Sequence, residues 1–188
     1  MDKIVEKIEK CNLCGHLNKL SCNSVKLGNC NILVLGESPA KDGWIISGKA
    51  FYNKNGKLQA TGKILDKLLN LCGLSIDDIY FTECCKCIID DRKNLRKSIN
   101  NCREILFKQI EHIPCDIILP MGQYPLEAIL NSKITKLKDY VGKEFYININ
   151  DKRKLIIPIY HTSPANPLCY KGNENIFLNL IDKIKKSS

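Results

Sequence analysis

NILVLGESPAKDGWIISGKAF, residues 31–51, runs a short apolar segment straight into a polar loop that holds Gly, Pro and two acids. Ile32, Leu33, Val34 and Leu35 form an unbroken apolar run, the pattern of a strand buried on both faces, and Gly36-Glu37-Ser38-Pro39 ends it abruptly. In an open α/β sheet, ligands bind beyond the carboxyl ends of the strands. The loop from Gly36 onward is therefore where a ligand is expected.

Outward from that loop the chain alternates. An amphipathic helix is expected over residues 2–10, with Ile4, Val5 and Ile8 on one side. Residues 53–57, Asn-Lys-Asn-Gly-Lys, read as a turn. Thr61 is placed to N-cap a helix whose Ile64, Leu65, Leu68, Leu69 and Cys72 recur at helical spacing, and Gly73 to end it. A strand over 77–83 leads into Cys84-Cys85-Lys86-Cys87, and a helix over 95–112 carries Leu95, Ile99, Cys102, Leu106 and Ile110 as its inner stripe. A strand at 115–119, a helix at 124–130, strands at 144–149 and 154–160 and a helix at 173–185 complete the pattern. Such alternation predicts one α/β domain over 1–188, a three-layer α/β/α sandwich around a mainly parallel sheet of four to five strands.

At 188 residues one real core is affordable, and no stretch approaches the ~20 apolar residues of a membrane span. The opening MDKIVEKIEK alternates charge with aliphatics, which is no signal-peptide core, so a cytoplasmic monomer is expected. Lys and Arg number 29 against 20 acids, a net charge of +9. That excess suits a polyanion, since each neutralised phosphate releases counterions, and equally suits a solvated lysine-rich surface.

Eleven cysteines in a reducing compartment point away from disulfides and towards metal or cluster ligation. Cys72 and Cys115 fall on apolar stripes and read as core thiols. Cys11 and Cys14 form a Cys-x2-Cys turn, and with Cys87 and Cys102 they supply four thiolates from two distant regions, suited to Zn²⁺ or to a [4Fe-4S] cluster. Spacing does not choose between these. Cys84 and Cys85 compete with Cys87, and Cys102 on its helix stripe can equally be a core thiol.

Taken together, Cys-x2-Cys near the start, a strand ending in GESPA, Phe51 fifteen residues after Gly36, Lys86-Cys87, Cys102 fifteen residues later and the closing His161-Thr162-Ser163 resemble the iron-sulfur uracil-DNA glycosylases of family 4. The resemblance spans residues 11–168. It implies a monofunctional glycosylase that hydrolyses the N-glycosidic bond of a deaminated base in DNA, above all uracil, for base-excision repair. It further implies Cys11, Cys14, Cys87 and Cys102 as ligands of a structural [4Fe-4S] cluster, with Lys86-Cys87 breaking the tie among the neighbouring thiols.

Breaking that bond leaves a sugar cation and a departing base anion, after the nucleotide has been extruded into a pocket. By the same resemblance, Gly36, Ser38, Phe51 and Glu83 line the base pocket, with Phe51 stacking on the base. His161 donates to the base oxygen as negative charge grows, on the logic of an oxyanion hole. Ser163 holds a phosphate and Leu168 fills the vacated stack. Attack on the cation needs a positioned water; Glu37 and Asp42 are the candidate carboxylates, Asp42 ranked slightly first, and both can instead merely cap the loop. His161, on a strand-exit loop beside Ser and Pro, is a better candidate than His16 or His112.

Several positions depart from the family pattern. Glu83 stands where the family has Asn, whose amide donates to O4 of uracil and accepts from N3–H. An ionised Glu only accepts. Three outcomes follow: burial keeps Glu83 protonated, the pocket prefers another base such as hypoxanthine, or Glu83 lies outside the pocket. Trp44, the 53–60 insert and Thr162 in place of Pro mark a divergent subgroup. Two other classes compete, a non-catalytic nucleic-acid-binding module with a structural metal, and a nucleotide-binding α/β enzyme. The second lacks a GxGxxG or P-loop.

Overall fold

A computed structural model of the chain describes residues 2–15, 18–20 and 24–186. His16 and Cys22 lie outside the described residues. The sheet has six strands in the order β1-β3-β2-β4-β6-β5. They are β1 (Val25–Lys26), β2 (Ile32–Gly36), β3 (Tyr80–Glu83), β4 (Ile117–Pro120), β5 (Phe145–Ile149) and β6 (Lys152–Ile156). The central β3, β2, β4 and β6 run parallel, and β1 and β5 pair antiparallel at the two edges. The expected four to five strands thus gain a sixth, the two-residue β1, too short for any periodicity to announce it.

Helices α1 (Asp2–Glu9), α2 (Trp44–Ser47), α3 (Ala60–Asn70), α4 (Leu95–His112), α5 (Gln123–Leu130) and α6 (Glu174–Lys186) cover the sheet. Alternating side chains of β2 explain its unbroken apolar run. Ile32 and Val34 pack with Leu65, Leu68 and Leu69 of α3 and Phe177 and Leu180 of α6, while Leu33 and Leu35 pack with Leu95, Ile99 and Leu106 of α4 and Leu126 of α5. Each of these fully buried leucines contributes about 2 kcal/mol of burial free energy. Helix α1 sits outside α4, with Ile4 and Ile8 against Ile105. Three layers result. None of the helices, among the described residues, is long and apolar enough to cross a membrane.

Two local expectations change. Gln59, not Thr61, holds the N-cap of α3, without a side-chain hydrogen bond. Thr61 instead lies in the first turn, where its carbonyl accepts from Thr162 Oγ1 at 3.1 Å. The strand expected over 154–160 starts at Lys152 and ends formally at Ile156, because Pro158 has no N–H to give. Its pairing continues past the proline, with Ile157 N–H donating to Ile118 O and Ile159 N–H to Pro120 O. This carries the chain in register to His161.

Candidate active site

Four parallel strands deliver their last residues to one end of the sheet. Gly36 closes β2, Glu83 closes β3, Met121 follows β4 and His161 follows β6. A cavity of about 150 Å³ lies there, lined by Gly36, Glu37, Ser38, Pro39, Trp44, Phe51, Phe81, Glu83, Met121 and His161, among others. Larger clefts of about 610 and 460 Å³ run beside α1. Size favours those; the convergence of buried polar groups and aromatic rings favours the small one.

The loop after β2 is stitched to its neighbours through main-chain bonds. Cys84 N–H donates to Gly36 O and Cys85 N–H to Glu37 O, both at 2.9 Å, and Met121 N–H donates to Leu35 O at 2.9 Å. Phe51 forms the aromatic wall. It is only 8% exposed, its ring centroid is 4.3 Å from that of Phe81, and Trp44 also packs obliquely against Phe81 at 5.5 Å. The Phe51 backbone has φ 69°, a left-handed conformation that a bulky residue takes only when its surroundings enforce it. Gly62 is part of that enforcement: a Cβ there would stand 2.9 Å from Phe51 Cβ.

Glu83 lines the same cavity. Its Oε2 is sealed from solvent without a hydrogen-bond partner. Burial raises the carboxyl from 4.5 to about 8, opposed by Lys86 and reinforced by Glu37. Lys86 makes no ion pair with that carboxyl; its ammonium donates to the Glu83 main-chain oxygen and to Thr82 Oγ1. At neutral pH Glu83 is therefore a neutral acid with one donor and one acceptor. Gly36 makes room for it, since a Cβ at that position would meet Glu83 Oε2 at 2.2 Å and Phe81 Cζ at 2.8 Å.

His161 is oriented by its own loop. Ser163 N–H donates to His161 Nδ1 at 3.1 Å, so the neutral ring carries its hydrogen on Nε2. Burial lowers the imidazole below its ordinary 6.5; Glu37 opposes this and Arg92 adds to it. Asn166 Nδ2 donates to His161 O at 3.1 Å. Thr162 is fully buried, and its hydroxyl reaches Thr61 O, which anchors the loop to α3. Asn173 binds both ends of the loop: Tyr160 N–H donates to its Oδ1, and its Nδ2 donates to Tyr160 O and Cys169 O. Sequence reasoning did not single out Asn173. Its only signal was an Asn beside Gly172 at a helix start.

The two loop acids separate. Glu37 lines the cavity and receives both arms of Arg92, at 2.8 and 3.1 Å. Asp42 is exposed and outside the lining, and its carbonyl accepts from Gln59 Nε2. Of the two candidate carboxylates, the fold thus brings Glu37 to the cavity and leaves Asp42, the one ranked slightly first, outside its lining. Ser38 lines the cavity, Ser163 lies half-buried on the His161 loop, and Leu168 is 44% exposed beyond it.

Beside the site lies the thiol-rich corner. The Cys85 thiol hydrogen-bonds with Cys102 and Cys87; this raises Cys85 far above its ordinary range, lowers Cys87 and lowers Cys102 to about 6. Cys14 Sγ accepts from Asn101 Nδ2 at 3.3 Å, beside Cys102. Lys19 pairs with Cys87 as a β-bridge and its ammonium binds Cys11 O. Cys11, Cys14, Cys87 and Cys102 are thus drawn to one corner. Among the described residues, no three His, Cys, Asp or Glu side chains are gathered tightly enough to hold a metal ion as they stand.

Comparison with known proteins shows which family the chain belongs to. The sequence profile of the Uracil DNA glycosylase superfamily matches residues 23–185. A type-4 uracil-DNA glycosylase of Archaeoglobus fulgidus is 29% identical over 168 residues, 86% of this chain and 80% of that protein. One of Thermotoga maritima is 28% identical over 200 residues, 98% of this chain and 93% of that protein. A profile that matches residues 23–185, most of the chain, makes this chain a member of the uracil DNA glycosylase superfamily.

Proposed function

We propose that the protein is a monofunctional glycosylase that removes uracil from DNA by hydrolysis, working as a cytoplasmic monomer. The observation that carries this reading is the pairing of a neutral Glu83 acid with a His161 oriented to donate from Nε2 at one small cavity. Glu83 would donate to O4 and accept from N3–H; His161 would donate to the other base oxygen as the anion leaves. Phe51 stacks on the extruded base, and Gly36 and Ser38 line its edge. Glu37 orients water towards C1′, while Ser163 and Leu168 meet the DNA. Lys86, the one buried lysine near the site, bonds to Thr82 and the Glu83 main chain outside the cavity lining, which supports hydrolysis over a Schiff base. The net charge of +9 supports a phosphate backbone as partner.

Hypoxanthine is the second reading for the base, because it presents the same adjacent carbonyl and ring N–H to an acid that can donate and accept. The purified protein is expected to leave alkali-labile sites in an oligonucleotide containing uracil, and more slowly in one containing hypoxanthine. Binding to both with no labile site would mean a nucleic-acid-binding module instead.

We also infer that Cys11, Cys14, Cys87 and Cys102 hold a [4Fe-4S] cluster that ties α1 to the loop after β3. Four soft thiols carried by neighbouring segments are the donor set such a group takes, which supports the reading. Bound there, the cluster would supply structural cross-linking. Protein prepared without oxygen is expected to be brown and to carry about four iron atoms per chain, lost in Cys14→Ser; a colourless, zinc-bearing protein would overturn the cluster.

A further inference from the structure

We propose that Arg92 is the positioning residue for Glu37, resting on the reading that Glu37 orients the attacking water. Arg92 stands on a short 3₁₀ turn (Arg92–Asn94) just before α4, and Glu37 lies 55 residues earlier, in the loop after β2. Both guanidinium arms meet both carboxylate oxygens, Nη1 with Oε1 at 2.8 Å and Nη2 with Oε2 at 3.1 Å. A bidentate fork fixes the plane of a carboxylate as well as its place, which a single contact does not. Each carboxylate oxygen keeps a second lone pair free, so the clamped Glu37 can still accept from water.

The clamp is itself supported. Arg92 and Arg96 both lie over the ring of Tyr124, at 5.9 and 5.3 Å. Arg96 in turn forks onto Glu127, at 2.9 and 3.1 Å, and Glu127 accepts from Gln123 Nε2 and from Ile134 N–H. Both carboxylates in this chain of contacts are largely shielded: the Glu37 side chain is 19% exposed and Glu127's 9%. Arg92 is 69% exposed, so its guanidinium is held by this geometry and not by burial. That same exposure leaves it within reach of a DNA phosphate, which is the competing role.

Single-turnover excision of uracil and oligonucleotide affinity, measured separately, divide the two roles. Arg92→Ala is expected to slow the saturated rate about 10- to 100-fold and to change affinity less than about threefold, with partial recovery on adding guanidinium ion. Arg92→Lys is expected to recover little, because an ammonium cannot fork. In a Glu37→Gln background, Arg92→Ala should slow the reaction no further. Weaker binding with an unchanged saturated rate, or additive losses in the double variant, would overturn the proposal and make Arg92 a phosphate contact or an independent group. Full activity of Glu37→Gln would sink the water-positioning role and this inference together; a slow Glu37→Gln beside a fast Arg92→Ala would sink this inference alone.

Discussion

Glu83→Gln is expected to excise uracil at a steady rate through pH 9, whereas the parent protein loses about tenfold per pH unit above pH 8 as one proton leaves. The reason is the single proton on the buried carboxyl. Burial raises Glu83 to about 8, so at neutral pH it donates to one base atom and accepts from the next. Once ionised, it only accepts, and it opposes the carbonyl it was holding. Gln keeps the length and the donor–acceptor pair but has nothing to lose to base. The stability follows the same proton. Because the native value lies above the ordinary 4.5, the native state retains a proton the unfolded chain releases between pH 4.5 and 8. That contribution is whole below 4.5 and is lost as pH rises through about 8, so the parent's melting temperature, taken relative to that of Glu83→Gln at each pH, should fall across this window. A parent rate that stays level to pH 9.5, or an equal fall in the variant, would show that Glu83 does not read the base.

His161→Ala is expected to lower single-turnover excision about 100- to 1000-fold, the range for removing one preorganised donor to a developing anion, with substrate affinity changed little. The main-chain turn around His161 is held independently by Thr162, Asn166 and Asn173, so the variant should fold. The imidazole adds a stability signature of opposite sign to that of Glu83. Its native value lies below the ordinary 6.5 because burial disfavours the cation. Its contribution is therefore whole above 6.5 and is lost as pH falls below 6.5 towards the native value. Measured by thermal unfolding between pH 5 and 7, the parent should gain stability relative to His161→Ala as pH rises to 6.5. Unimpaired excision by the variant would remove His161 from the chemistry.

The β2 run was legible because both sheet faces are covered, so every side chain from Ile32 to Leu35 had to be apolar. The inner stripe of α4 was legible for the same reason, and Leu95, Ile99, Cys102, Leu106 and Ile110 are all buried. Strand β1 was not, since its two residues owe their conformation to the edge of β3 and to no pattern of their own. The different placement of Glu37 and Asp42 was hidden too: both are acids in one loop, and Glu37 is held by an arginine 55 residues away. The buried network of Lys86, Thr82, Gln109 and Ser24 was equally invisible. Polar residues give no period, and their partners are chosen by the tertiary fold.

Gly36 and Glu83 are neighbours in register, paired across β2 and β3, and the space for a Cβ at one is taken by the carboxyl of the other. In evolutionary terms the two positions are one choice. A chain that keeps Glu83 forfeits a larger residue at 36, and one that shortens residue 83 gains that freedom only where the Phe81 ring also gives way. Lineages carrying this acid should therefore hold glycine at the strand end even where their surrounding loop drifts, and a change of preferred base should proceed through position 83 first.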